Sequence, residues 1–206
     1  MAPPFQALII IILSRRSSRE HSRSPRSVDS LADALIRVMD IPSRKKALSI
    51  DPQELRRVMG HFVTGVTVIT TKDRSGAAFG LTANAFTSLS LDPPLVLVCI
   101  DKSVQCYSCF EESKLFAVNI LGEEQEEISR RFATKGIEKF AGLKWRMSEH
   151  GLVLLDGAIG HIECRIVRVH DGGDHTIMVG EILGAAASGD RPLIFFQGKY
   201  YRLPQA

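Results

Sequence analysis

The sequence predicts a mainly β protein, an antiparallel barrel with helices on its periphery. Three observations carry this expectation. Runs dense in β-branched and apolar residues recur at 66–71, 95–100 and 115–120, as strands prefer. Ile162, Cys164 and Ile166 alternate with His161, Glu163 and Arg165, the two-residue period of a strand with one wet face. Helical patterns between the strands are few and short, too few to supply the crossovers of a parallel βαβ sheet.

Residues 1–48 stand apart from the rest. They hold nine Lys/Arg against four Asp/Glu, a balance of +5, whereas 49–206 hold seventeen against nineteen, a balance of −2. The basic character belongs to this Ser/Arg-rich extension, which reads as a disordered tail with a short helix after Ser30. The folded part carries no electrostatic footprint for nucleic acid. The apolar run at 7–13 is too short for the roughly 20 residues that span a bilayer, and its Arg residues follow it where a secretory signal would place them before. An organelle transit peptide and a biological start at Met39 are alternative readings of the same segment. Four scattered cysteines suit no disulfide framework and fit the cytoplasm.

The elements of the domain at 49–206 follow in order. Asp51, Pro52 and Glu54 have the form of a capping box. The helix they start sets Leu55, Val58 and Met59 on one side and ends near Gly60. Strand 66–71 turns through 73–76 into a hairpin partner at 77–81. Runs 95–100 and 115–120 are apolar throughout, so both faces are expected to be buried. Between them lies a helix over 103–112 with Ser103 as N-cap. A second helix, 123–133, carries acids first and Arg130 and Arg131 last, with Glu126–Arg130 and Glu127–Arg131 as i,i+4 pairs. From Ala158 onward the chain is β again.

Several motifs carry chemistry or fail to. No Gly-x-Gly-x-x-Gly is present, and Gly60 to Gly65 has Walker-type glycine spacing but lacks the Lys-Ser/Thr that follows it. Cys106-x-x-Cys109 is a single pair and reads as helix packing rather than a metal or redox site. His61, His150, His161 and His170 form no ligand-spaced cluster, and no metal is expected. Residues 82–94, Thr-Ala-Asn-Ala-Phe-Thr-Ser-Leu-Ser-Leu-Asp-Pro-Pro, are small and hydroxylated before a double proline. Small side chains let a ligand approach the backbone, and the prolines force an extended entry to the next strand. A polar connecting loop explains the run equally well. Asp171-Gly172-Gly173-Asp174 supplies a hairpin turn, which leaves His175 unexplained, an imidazole able to meet a ligand or donate a proton near neutral pH.

With these pieces in order, residues from about 51 to 203 resemble the short-chain flavin reductase family, the reductase components of two-component flavin-dependent monooxygenases. The resemblance rests on residues 55–70, on Gly80-Leu81-Thr82-Ala83-Asn84-Ala85-Phe86-Thr87-Ser88 and its continuation to Pro94, on 116–120, Arg131-Phe132-Ala133, Lys139-Phe140, Gly173-Asp174-His175 and 192–201. It implies a split β-barrel of the FMN-binding, Greek-key-like type, a homodimer, and hydride transfer from NADH or NADPH to FMN or FAD. It also implies a partner oxygenase that receives the reduced flavin.

By the same resemblance Thr82, Ala83, Asn84 and Ala85 lie along the isoalloxazine, with Thr87 and Ser88 close by. Residues 101–106 approach the flavin phosphate through Ser103 and Cys106. A hydroxyl residue is common in the family at position 106, so Cys106 is a departure that weakens that contact. A helix start at Ser103 would independently suit an anion. Asn119, Arg131 and Phe132 are further implied contacts, and Gly173, Asp174 and His175 face the nicotinamide cofactor. His175, the one catalytic candidate, would hold the nicotinamide or protonate reduced flavin. A split-barrel enzyme that retains its flavin and a non-catalytic flavin carrier are the rival readings.

Overall fold

The computed structural model describes residues 50–189 and 191–204. The expectations for the tail, the helix after Ser30 and the start at Met39 lie outside them. In chain order the elements are α1 (Pro52–Met59), β1 (Thr64–Gly65), β2 (Thr67–Lys72), β3 (Ala78–Ala83), β4 (Phe86–Leu91), β5 (Pro94–Asp101), α2 (Tyr107–Ser113), β6 (Leu115–Ile120), α3 (Glu126–Ala133), β7 (Trp145–Met147), β8 (Val153–Leu155), β9 (Gly160–Gly172), β10 (His175–Ala187), β11 (Ile194–Phe196) and β12 (Lys199–Tyr201).

Seven strands form one antiparallel sheet in the order β3-β2-β6-β9-β10-β5-β4. Its two edge strands, β3 and β4, are consecutive in the chain and joined only by Asn84 and Ala85. Three Cα–Cα steps of 3.8 Å cannot span more than about 11 Å. The sheet must therefore curl until its edges nearly meet at this corner, yet no ladder closes β3 onto β4. The expected barrel is present in this split form, an open ladder bent round a core.

That core is filled from the sheet's concave face by Ile69, Leu81, Val98, Ile100, Phe116, Val118 and Met178, with Cys109 and Phe110 of α2 plugging it. Val66 and Val68 point the other way and pack with Phe132 of α3, Val153 and Leu155 of β8, and Leu193. Strand β2 is thus buried on both faces, and so is most of β6.

Several expectations shift. Asp51 accepts from the Gln53 amide as a cap should, but Glu54 binds Arg57 rather than reaching back, so only half of the capping box forms. Leu55, Val58 and Met59 remain exposed. Strand β5 alternates between fully and partly buried positions, because the neighbouring edge strand β4 leaves its outer face half open. The first short helix begins at Tyr107, not Ser103, because residues 101–106 form a turn in which Ser103 N–H donates to Asp101 Oδ1. Helix α3 begins at Glu126. Its Glu126–Arg130 pair forms, while Arg131 donates to Ala141 O instead of pairing with Glu127. Residues 82–94 are mostly strand, the end of β3 and all of β4, so the polar-loop reading is corrected. Among the described residues, no helix is long and apolar enough to cross a membrane, and no group of acids, histidines and cysteines could hold a metal ion.

Candidate functional site

The gap between the split edges opens a cleft of about 420 Å³, within the range of small-molecule sites. One wall is β3 and its exit, residues 78–85. The floor includes Cys99 and Asp101 of β5 and the turn residues Val104, Gln105 and Cys106. The far wall is Phe132 and Ala133 at the end of α3 with residues of the following segment, Lys139 and Phe140 among them. His175, the first residue of β10, completes it.

Local sequence explains the walls. Phe132 is fully buried and packs directly on the backbone of Gly80, with Phe140 edge-on to its ring at 5.1 Å. Thr82 Oγ1 donates to Ser129 O at 2.6 Å, tying β3 to α3. That hydroxyl proton is therefore engaged in the fold, and the oxygen retains only acceptor capacity toward a ligand. Thr67 Oγ1 similarly donates to Ala83 O at 2.6 Å. By contrast, the side-chain amides of Asn84 and Gln105 are exposed in the cleft and make no hydrogen bond among the described residues. Lys139 Nζ donates to Gly80 O at 3.0 Å and to Phe132 O at 2.8 Å, with burial pulling its pKa below the ordinary lysine value.

The β9–β10 hairpin presents His175. Gly173 takes φ +82°, a turn conformation that suits glycine, and lets β10 begin at His175 paired with Asp101 of β5. His175 Nδ1 bonds Asp174 Oδ1 at 2.7 Å, which leaves Nε2 without a protein partner among the described residues. Three contacts hold the hairpin to the 101–106 turn. Lys102 Nζ bonds the Asp171 carboxylate and, at 2.6 Å, Gly173 O, and Lys102 N–H donates to Asp174 O at 3.0 Å. Tyr107 OH meets Thr176 Oγ1 at 2.7 Å behind it. The backbone N–H of Ser103 is the main cause that holds Asp101 below the usual carboxylate range, helped by the nearby charges of His175 and Lys135.

Of the expected site residues, the structure brings Thr82, Ala83, Asn84, Ala85, Cys106, Phe132 and His175 to one cleft. Gly173 and Asp174 sit in the hairpin beside it. Thr87 and Ser88 are exposed on edge strand β4, and Arg131 lies outside the cleft lining. Ser103 is exposed in the turn, and the helix start invoked for anion binding there does not exist. Asn119 is fully buried. Its amide donates to Val68 O and accepts from Leu155 N–H, so it joins β6 to β2 and β8 instead of facing the cleft. Gln105 falls within the 101–106 stretch and Lys139 within the Lys139-Phe140 match, but neither was given a role of its own. Lys139 stands in an irregular segment where no periodicity marks a side chain as inward.

The family described as flavin reductase like domain matches residues 59–204. The chain belongs to this family. Among flavin reductase relatives, the reductase subunit of a flavin-dependent monooxygenase from Rhodococcus jostii is 43% identical over 155 residues, covering 75% of this chain and 79% of that protein. The reductase component of a flavin-dependent trigonelline monooxygenase from Acinetobacter baylyi is 42% identical over 149 residues, 72% of this chain and 48% of that longer protein. In structure the chain is similar to the NADH:FAD oxidoreductase of Streptomyces globisporus in complex with NAD and FAD fragments. That match has a TM-score of 0.71 at 39% identity and covers 77% of this chain and 98% of the other.

Proposed function

We propose that this flavin reductase is an NAD(P)H:flavin oxidoreductase that reduces FMN or FAD by hydride transfer and supplies the reduced flavin to a partner monooxygenase. The observation that carries this reading is the meeting of residues 82–85 and His175, distant in sequence, in one cleft at the barrel's split. The residues present fit a flavin. Leu81, Ala83, Phe132 and Phe140 supply apolar walls, Ala83 and Ala85 let a planar ring approach the backbone, and Asn84 and Gln105 offer free amides. When bound, the two cofactors supply the reactive atoms.

What remains to the chain is binding, orientation and proton placement. The apolar walls exclude water, and the amides fix ring orientation. His175 lines the cleft with Nδ1 tied to Asp174, which leaves Nε2 to hold the nicotinamide or a proton. The relatives named as reductase subunits of flavin-dependent monooxygenases support the same assignment and the oxygenase partner.

We read the protein as a homodimer, because Leu55, Val58 and Met59 of α1 and Phe62 and Val63 just after it are large apolar side chains left exposed. Light scattering at the mass of a single chain would refute this. Four free thiols suit the reducing cytoplasm. The reaction is tested by steady-state NADH oxidation with and without added flavin. Strong stimulation by micromolar FMN or FAD is expected. Full activity without added flavin would favour an enzyme that retains its flavin, and no oxidation at all would favour a carrier.

A further inference from the structure

Resting on the flavin reductase reading, we propose that Tyr200 is a positioning residue for the cleft, acting from outside it through Ser129 of α3 on Thr82. Tyr200 belongs to β12 and does not line the cleft. Its hydroxyl meets Ser129 Oγ at 2.8 Å, and the Ser129 carbonyl accepts from Thr82 Oγ1 at 2.6 Å. Thr82 stands in the cleft wall. Ser129, fully buried, is thus held on its side chain by the β11–β12 hairpin and holds β3 with its backbone.

The Ser129 hydroxyl has no other partner among the described residues. A serine inside a helix otherwise turns its hydroxyl back to the carbonyl four residues earlier, which bends the helix. That carbonyl, Gln125 O, already accepts from Ser129 N–H at 3.0 Å. Tyr200 keeps the Ser129 side chain off the helix backbone. Without the phenol, the hydroxyl competes for Gln125 O or stays unpaired, and the Ser129 carbonyl shifts against Thr82. A displaced wall residue weakens a ligand that depends on its placement.

The hairpin is a fixed base for this contact. β11 pairs with β1, and Gln197 N–H donates to Gly60 O at 2.8 Å. Just beyond β12, Arg202 binds the Glu124 carboxylate through two nitrogens, at 2.8 and 3.1 Å, and Arg191 pairs with Glu123. The approach to α3 is therefore laced to the same part of the chain. Arg130, which follows Ser129, sets its guanidinium 4.9 Å from the centre of the Tyr200 ring.

The competing role is purely structural, a hydroxyl pair that stabilises the fold without reaching the cleft. A double-mutant cycle on ligand binding separates the two. Dissociation constants of oxidised FMN and FAD are measured on the wild type, Tyr200→Phe, Thr82→Val and the double variant. Tyr200→Phe keeps the ring and its Arg130 contact, and it should weaken the tighter flavin about three- to tenfold. Thr82→Val cuts the link to the Ser129 carbonyl, so the double variant should match Thr82→Val alone within about twofold. Affinity within about twofold of wild type in Tyr200→Phe, or losses that multiply in the double variant, overturns the proposal.

Should the variants not fold, the native protein gives the answer by reciprocity, because a hairpin that sets ligand affinity is itself steadied by the ligand. Saturating flavin should slow amide hydrogen exchange in 199–201 as well as in 80–85. Protection confined to the residues lining the cleft refutes the proposal. A wild type that binds neither flavin and oxidises no NADH refutes the flavin reductase reading itself.

Discussion

The ring of Phe132 occupies the space that a side chain on residue 80 would need. A Cβ built at Gly80 would stand 2.7 Å from Phe132 Cε1 and 2.9 Å from Cδ1. Gly80 also offers its carbonyl to Lys139, so one small residue sets both the aromatic wall and the position of the half-buried ammonium. Gly80→Ala should overpack this contact and cost about 1–3 kcal/mol of stability. Urea unfolding reads the effect, and an unchanged midpoint would show that Phe132 shifts freely.

Lys102 positions the hairpin that carries His175 through Asp171, Gly173 and Asp174. Lys102→Met should raise the KM for NADH severalfold while leaving the flavin dissociation constant within about twofold, and Lys102→Arg should recover part of the loss. Lys102 holds the Asp171 carboxyl below its ordinary range. A lowered folded-state pKa means that the clamp's contribution is present above the unfolded value of about 4 and is lost as pH falls through the folded value. The KM difference between variant and wild type should therefore be flat from pH 6 to 9. A difference that disappears within that window would contradict the clamp.

Asn119 serves the core, bridging Val68 O and Leu155 N–H with Thr70 Oγ1 nearby. Asn119→Ala leaves buried groups unpaired and should destabilise the fold by about 2–3 kcal/mol. Flavin affinity per folded molecule should stay unchanged. A large affinity loss at full stability would return Asn119 to the binding site.

Burial pushes the Cys164 thiol up to about 12 and raises Cys99, Cys106 and Cys109 as well. Thiolate is the reactive form, so alkylation of the native protein at pH 7.5 should be slow throughout. Cys99, partly exposed in the cleft, should label first and be protected by saturating flavin. Labelling of Cys164 before Cys99 would contradict the packing.

Much of this was legible in the residues. β-branched runs marked β2, β5 and β6, and Asp-Gly-Gly-Asp marked the hairpin before His175, because strand and turn preferences act locally. Residues 82–94 misled as a loop because an exposed edge strand needs no apolar face. Ser103 misled as a cap because Asp101 takes its N–H into a turn first, a competition between two adjacent short polar side chains. Lys139 stood in a matching stretch, but its contacts were not legible, since its partners, Gly80 O and Phe132 O, are backbone atoms brought close only by the curl of the sheet. The burial of Asn119 is likewise set by β2 and β8, which flank it in space and not in sequence.

As proposed, His175 acts on the nicotinamide side of a cleft whose other side holds flavin. His175→Ala, assayed for steady-state NADH oxidation alongside flavin binding, tests this most directly. Turnover should fall about 10- to 100-fold while the flavin dissociation constant stays within about threefold. Wild-type turnover in this variant would remove His175 from the site and contradict the account.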